Sequence, residues 1–370
     1  VDKIQGKAHF HEKTKILANQ IEKKQIAVIA HEDIDPIAAE SLIKKNVKAV
    51  INLKRSMSGE FFHEGVKRLL EHKIKVFDIH PNSNIGKWID GREVEINHNY
   101  LFVIYAHKRY EVGPLKEYNI PFVRLLEEKG KKNLPDTFEK FSSNSISYAK
   151  KDLIQLLECW KTWEYGSALQ GKEVLIVIRG TDYEKDLDCV KKYFIRNGNN
   201  ISLIAVDGAA DEMLHKNMHP DYIIGDMDSV SSRVLHCGAK LIVHQGAKGH
   251  SPGMQRVKDH QLSANTVTFI GLSEDAAIAF ALKEGAKKIY LLGGHRDMEE
   301  YLSKGRKGMG SSLLIKMLAG SKIIDLKGIH HLYDKSSKSQ SLFWHVRKIY
   351  NSLPFLRASK SEKEMREMKA

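Results

Sequence analysis

The sequence predicts an α/β protein, in which a parallel-sheet domain is preceded by a smaller α/β domain and a β-rich insert. Three observations predict it. Largely apolar runs of four to seven residues, Ile26–Ile29, Val47–Leu53, Val174–Ile178 and Ile201–Val206, read as buried strands. Helical-period stretches alternate with them, as βαβ units require. Between the two alternating regions the texture breaks into short apolar pieces among Gly, Asn and charge. These shifts divide the 370 residues at 1–80 (α/β), 81–135 (β-rich insert), 136–170 (connecting helix), 171–334 (the larger sheet domain) and 335–370 (a basic amphipathic tail).

Residues 1–25 are basic and are expected to be helical, with Ile16, Leu17 and Ile21 on one side. Strand Ile26–Ile29 runs into His31-Glu32-Asp33-Ile34-Asp35-Pro36, where Asp35 suits an N-cap and Pro36 a first helical position. A polar site at His31, Asp33 and Asp35 competes there with plain helix capping, and capping is the preferred reading. In the insert, Tyr100–Tyr105 and Pro121–Leu126 are expected strands. Phe138–Trp163 carries apolar residues every three or four positions and reads as one long helix. Gly166–Lys172 imitates a phosphate loop but lacks the following Ser/Thr and precedes its strand. Beyond it, strands are expected at Leu241–His244, Thr266–Ile270, Ile289–Leu292, Ile323–Leu326 and Ile329–Tyr333.

The chemistry concentrates between Ile201 and Val230. Two apolar runs there end in acids: Asp207 after the first, Asp226 and Asp228 after Gly225 at the end of the second. Ligands of open α/β sheets bind beyond the carboxyl ends of the strands. Carboxylates there suit Mg²⁺, which takes one or two of them together with phosphate oxygens. In extended backbone Asp226 and Asp228 would face the same side. Gly208 and Gly225 would let a phosphate approach the main chain. The alternative is two acidic turns that only cap strands and helices. Other candidates lie at neighbouring strand ends: Arg179 and Gly180, Ser229, Glu274 and Asp275, and His295 after Gly293-Gly294. The glycine-rich basic segment Gly246–Arg256 supplies Lys248, His250 and Arg256, facing phosphate or only solvent.

A net charge of +13 allows an anionic partner, without a specific nucleic-acid signal. Three widely spaced cysteines form no Cys-x-x-Cys, which argues against a disulfide scaffold or zinc site and fits a reducing cytosol. No apolar run reaches membrane-span length, and no apolar signal core is seen at the N-terminus. The expected location is cytoplasmic, with peripheral contact at the inner face of the membrane left open by the tail. There Leu342, Phe343, Val346, Ile349, Tyr350 and Leu353 share one helical face, which would serve a membrane surface, a partner groove or the protein's own domain.

The motifs VDGAAD (206–211) and HPDYIIGDMDS (219–229) resemble the catalytic domain of thiamine pyrophosphokinases. The resemblance implies a thiamine pyrophosphokinase-like sheet domain. It also implies ATP or another nucleotide as ligand, and Asp207, Asp226 and Asp228 as ligands of Mg²⁺ and nucleotide phosphates. With Asp275 these are the expected catalytic acids. Arg179, Gly180, Gly208, Gly225, Ser229, Lys248, Arg256, Glu274 and His295 are the expected phosphate or nucleotide contacts. A closer resemblance, through IAVIAHEDIDPIAAESL (26–42), VIRG (177–180), GDMDSVS (225–231), SPG (251–253), SED (273–275) and KGRKGM (304–309), is to the SteA family of cytokinetic-ring proteins. It implies a role in bacterial cell division or envelope assembly, through a division or membrane-surface partner. The thiamine pyrophosphokinase motif Lys-Asp-x-Thr-Asp is represented here by Gly271-Leu272-Ser273-Glu274-Asp275, with only the last acid kept. The acceptor is therefore open. So are an active thiamine diphosphokinase, a peripheral membrane adaptor without catalysis, and a homodimer.

Overall fold

The structure, a computed structural model, describes residues 3–79, 85–164, 166–197, 200–246 and 251–332. Lys248, His250 and the 335–370 tail lie outside the described residues. The first half is a closed barrel. Strands β1 (Ile4–His11), β2 (Ile26–Ile29), β3 (Ala49–Asn52) and β4 (Lys75–Ile79) run parallel. Strands β5 (Glu93–Asn97), β6 (Tyr100–Tyr105) and β7 (Lys108–Glu117) form an antiparallel meander. It pairs β7 with β4 and β5 with β1, giving the order β1-β2-β3-β4-β7-β6-β5. Side chains alternate along each strand. Val28, Ile51, Phe77, Val94 and Val103 fill the interior. Ala27, Ile29, Val50 and Val76 face outward against helices Thr14–Gln20, Pro36–Lys44 and Gly65–Glu71. Strands β2 and β3 are thus buried on both faces, which is why they read as continuous apolar runs.

Several elements differ from the sequence expectation. Residues 4–11 form a strand, because Ile4, Ala8 and Phe10 alternate with polar positions; only Thr14–Gln20 is helical. The Pro121–Leu126 segment is helical, within Ile120–Lys132. Asn119 caps it by accepting from the Phe122 N–H at 2.9 Å, and Pro121 fits the first turn. Residues 330–332 are helical too, where a last strand was expected. The strands of the 81–135 stretch complete the same barrel as the strands before them.

The second half is a seven-stranded, wholly parallel sheet. Its strands are β8 (Glu173–Val177), β9 (Ile201–Val206), β10 (Tyr222–Gly225), β11 (Lys240–Gln245), β12 (Asn265–Thr268), β13 (Lys288–Leu292) and β14 (Ile323–Asp325). Their order is β12-β11-β10-β9-β8-β13-β14. The chain lays down β8 to β12 in one direction, then returns to the other side of β8 with β13. The crevice between β8 and β13 is therefore a topological switch point. Helix Ser273–Lys283 is apolar almost all round and is buried between the sheet and helix Gly310–Ala319. The 29-residue helix Leu134–Thr162 packs along Gly310–Ala319. Among the described residues no helix is long and apolar enough to cross a membrane.

Candidate active site

Strands β9 and β10 are neighbours, so their acidic ends meet. Asp207 follows β9 with a left-handed backbone (φ +49°), which turns its carboxylate across the end of β10. There Oδ1 accepts the Met227 N–H at 3.2 Å. The turn needs a glycine beneath it: a Cβ on Gly225 would stand 1.8 Å from Asp207 Oδ1. Burial and the neighbouring Asp226 charge push the Asp207 carboxyl up to about 7. Asp226 and Asp228 do not line up along an extended strand. Met227 is left-handed (φ +58°), and the Asp228 N–H donates back to Asp226 Oδ1 at 3.2 Å, an Asx-type turn. Burial and the hydrogen bond between the two carboxyl groups raise the Asp226 pKa. Asp228 is held low despite burial by that same bond and by Lys15.

The counter-charge comes from the barrel. Lys15 places its ammonium 2.5 Å from Asp228 Oδ1 and 3.9 Å from Asp226 Oδ2, and Lys13 lies 3.4 Å from Asp228. Both residues sit just beyond β1, where the expected N-terminal helix concealed a strand end. Sequence reading missed them for that reason. The remaining signal was the run Glu12-Lys13-Thr14-Lys15 directly after an alternating stretch. These residues line one cavity of about 790 Å³ between barrel and sheet, shared by Asp207, Asp226 and Asp228 with Arg179, His31 and His295. Arg179 also reaches Ser41 of the barrel at 3.5 Å. Ser229 Oγ accepts the Gly208 N–H at 3.2 Å and fixes the turn after β9. His31 stands 3.4 Å from Asp35, which caps helix Pro36–Lys44 by accepting the Ala38 N–H at 2.8 Å. Asp33 turns away and holds Ser58 and His63.

Two predicted residues play other parts. Arg256 lies on helix Pro252–Asp259 and gives its guanidinium donors to the carbonyls of Met227, Asp228 and Val230. It braces the acidic loop with three of its five donors and does not line the cavity. Asp275 is fully buried and does not line the cavity. Its Oδ2 accepts from the Leu272 N–H (2.9 Å), Ser311 Oγ (3.0 Å) and Ser312 Oγ (2.8 Å), so it ties two helices together. Glu274, one residue earlier, points the other way, into the cavity wall. There it accepts from His295 Nδ1 at 2.7 Å and faces the Lys316 ammonium at 3.1 Å. Burial alone would raise the Glu274 carboxyl; His295 and Lys316 outweigh it and bring it to about 2. The far side of His295, Nε2, meets Lys304, whose ammonium pKa burial lowers although the cleft keeps much of its surface wet. His295 and Arg179 flank the switch point, where Gly180 packs so closely that a Cβ would stand 2.2 Å from the Gly293 carbonyl oxygen.

Asp275 supplies a pH test of this arrangement. Burial and the Glu274 charge raise its carboxyl to about 6. A folded-state pKa above the unfolded one means that the native protein holds the proton more tightly. Stability is then greatest at low pH and falls as pH rises through 6. Between pH 5 and 7.5 this contribution amounts to about 1.4 kcal/mol. Glu274, depressed to about 2, has the opposite sign, and its change falls below pH 5. Asp207, raised to about 7, titrates in the same window with the same sign, so Asp275→Asn should reduce the pH 5–7.5 slope of the urea midpoint without abolishing it; an unchanged slope would assign the whole dependence to other groups.

Among the described residues no three His, Cys, Asp or Glu side chains are grouped tightly enough to hold a metal by themselves. Asp207, Asp226 and Asp228 are therefore not a ready-made three-ligand centre: Asp207 is spent partly on the β10 turn, and an ammonium bridges the other two. The donor set still fits Mg²⁺ shared with phosphate oxygens, since three carboxylates line one cavity and a cation, the Lys15 ammonium, already stands between two of them.

No family model matches the chain. It is distantly similar to a pyrophosphokinase. Over 246 residues it is 23% identical to the 6-hydroxymethyl-7,8-dihydropterin pyrophosphokinase of Methanocaldococcus jannaschii, covering 60% of this chain and 96% of that protein. Among solved structures, the thiamin pyrophosphokinase of Geobacillus thermodenitrificans shares 18% identity over 41% of this chain and 58% of its own, with a TM-score of 0.25. The MAf glycosyltransferase of Magnetospirillum magneticum AMB-1 shares 17% over 49% and 33%, with a TM-score of 0.26.

Proposed function

We propose that the chain is a Mg²⁺-dependent transferase of pyrophosphokinase type, moving the pyrophosphoryl group of ATP to the hydroxyl of a small heteroaromatic alcohol. The observation that carries this reading is the meeting of Asp207, Asp226 and Asp228 at adjacent strand ends, inside a cavity that also presents Lys15 and Arg179. Distant similarity to a dihydropterin pyrophosphokinase supports the reaction class. Asp226 and Asp228, with Asp207 behind them, would hold Mg²⁺. Bound there, it would neutralise the phosphates and polarise the bond that breaks. Lys15 and Arg179 would bind the phosphate oxygens and keep the chain of phosphates in line. The acceptor oxygen forms its bond to the β-phosphorus. The bond from that phosphorus to the α,β-bridging oxygen breaks, and AMP leaves with its electrons. The hydroxyl proton passes to the Lys304 amine in its neutral form, and His295 Nε2, its ring held by Glu274, accepts a hydrogen bond from the ammonium so formed.

Thiamine fits as acceptor less well than another alcohol. The one acid kept from the thiamine pyrophosphokinase motif, Asp275, is buried against Ser311 and Ser312, away from the cavity. The resemblance to SteA division proteins adds a second reading, in which the same site binds a nucleotide for regulation.

Calorimetry of ATP with and without Mg²⁺ tests the proposal, with wild type beside Asp226→Ala/Asp228→Ala and AMP release followed in the presence of the dihydropterin or thiamine. Mg²⁺-dependent binding should fall at least 100-fold in the double variant, and AMP should appear only with an acceptor. Binding without AMP favours the regulatory reading. No binding in wild type overturns both.

A further inference from the structure

A second cavity, of about 310 Å³, opens beside the first. The two share the Lys304–His295 wall, where the helix Pro36–Lys44 of the barrel faces the loop after β13. Most charges lining it are matched within the protein. Arg68 pairs with Glu40, Glu64 and Asp182, and Lys327 pairs with Glu300 and Asp297. Two groups are not matched. The Glu299 carboxylate makes no hydrogen bond or ion pair among the described residues. His63 is 3% exposed, and its Nδ1 is buried without a partner. His63 Nε2 lies 3.2 Å from Asp33 Oδ1, so in the neutral ring Nε2–H donates to Asp33 and Nδ1 is left as an acceptor. Glu299 and His63 come from opposite halves of the molecule and both line this cavity. Phe62, Pro36 and Ile37 supply an apolar wall.

We infer that this second cavity is the acceptor pocket, taking a flat heteroaromatic ring with an N–H-rich edge and a short hydroxyl arm. The inference rests on the pyrophosphokinase reading and adds to it the place and chemistry of the acceptor. A wall that carries an unmatched carboxylate selects a ligand that brings donors. A carboxylate receives an amino group and the adjacent ring N–H as a bidentate pair, and leaving either side of such a pair buried without the other is costly. The Phe62 ring offers a face for stacking. A bicyclic ring fits a volume near the lower end of small-molecule sites. A hydroxyl arm would then reach the shared wall, where Lys304 and His295 separate acceptor from donor phosphates. The barrel thereby gains a function: it supplies half of the acceptor pocket.

The test is fluorescence titration of 6-hydroxymethyl-7,8-dihydropterin into the full chain, with Mg²⁺–ATP binding followed separately by calorimetry. Glu299→Gln and Phe62→Ala should each weaken pterin binding at least tenfold while changing Mg²⁺–ATP affinity less than twofold. Pterin binding that both variants retain would overturn the location. Absence of pterin binding in wild type, with or without the nucleotide, would overturn the ligand class. The calorimetric arm keeps the two ideas apart. A protein that binds Mg²⁺–ATP but not pterin loses the pocket and keeps the donor site. One that binds pterin through Glu299 without binding Mg²⁺–ATP keeps the pocket and loses the donor reading.

Discussion

Gly225→Ala should abolish Mg²⁺–ATP binding, with a loss of at least 100-fold, while leaving the sheet folded. The added Cβ would stand 1.8 Å from Asp207 Oδ1 and 2.3 Å from its Cγ, at a backbone φ of +155°. Neither side can yield cheaply. The Asp207 backbone is itself left-handed, and its carboxylate is held by the Met227 N–H. Relief requires either swinging the carboxylate out of the cavity or shifting the Gly225–Asp228 turn, and each separates Asp207 from Asp226. Strain of this kind costs about 1–3 kcal/mol of stability. Gly238→Ala is the control: that glycine has φ +91° but nothing within 4 Å of its missing Cβ, so it carries conformational strain without the clash. Circular dichroism and urea midpoints would show both variants folded, and calorimetry would read the site. Unchanged ATP affinity in Gly225→Ala would remove Asp207 from the binding site.

The parts of this site that were legible in the sequence are those where local pattern and chemistry coincide. Strands β8, β9 and β10 are buried on both faces, so they appear as apolar runs, and whatever follows them lies at the sheet's carboxyl edge. Asp207, Asp226, Asp228, Arg179 and Ser229 could be placed on that ground alone. Orientation within a turn could not. Glu274 and Asp275 are adjacent in one helical turn, and only packing against Ser311 and Ser312 decides which faces the cavity. Arg256 reads as a phosphate ligand until the three carbonyls it braces come into view. Long-range pairing was hidden as well. Closure of the barrel joins Ile4–Lys7 to Glu93–Ile96, and no local signal marks that register. Missing it concealed the end of β1, and with it Lys13 and Lys15, the residues that reach Asp228 from more than 200 positions away.

Lys15→Met should strengthen Mg²⁺ binding in the absence of nucleotide and weaken Mg²⁺–ATP binding. In wild type a metal entering between Asp226 and Asp228 must displace an ammonium already 2.5 Å from one and 3.9 Å from the other. Two unit charges 4 Å apart near a protein surface interact by about 4 kcal/mol, and solvent around a side chain 39% exposed reduces this to roughly 1–1.5 kcal/mol. Removing the lysine charge should therefore tighten Mg²⁺ alone by about tenfold. With ATP present the sign reverses, because the phosphates lose a cation that the displaced lysine would offer them. Lys13→Met should do less, as that side chain is 61% exposed and touches only Asp228. Equal Mg²⁺ affinity in wild type and Lys15→Met would mean that the metal enters elsewhere. The opposite signs of the two measurements matter more than either size. A lysine that merely screened surface acids would shift Mg²⁺ and Mg²⁺–ATP in the same direction. A lysine that gives up its carboxylates and turns to phosphate makes contact between the barrel and the acidic loop respond to what fills the cavity.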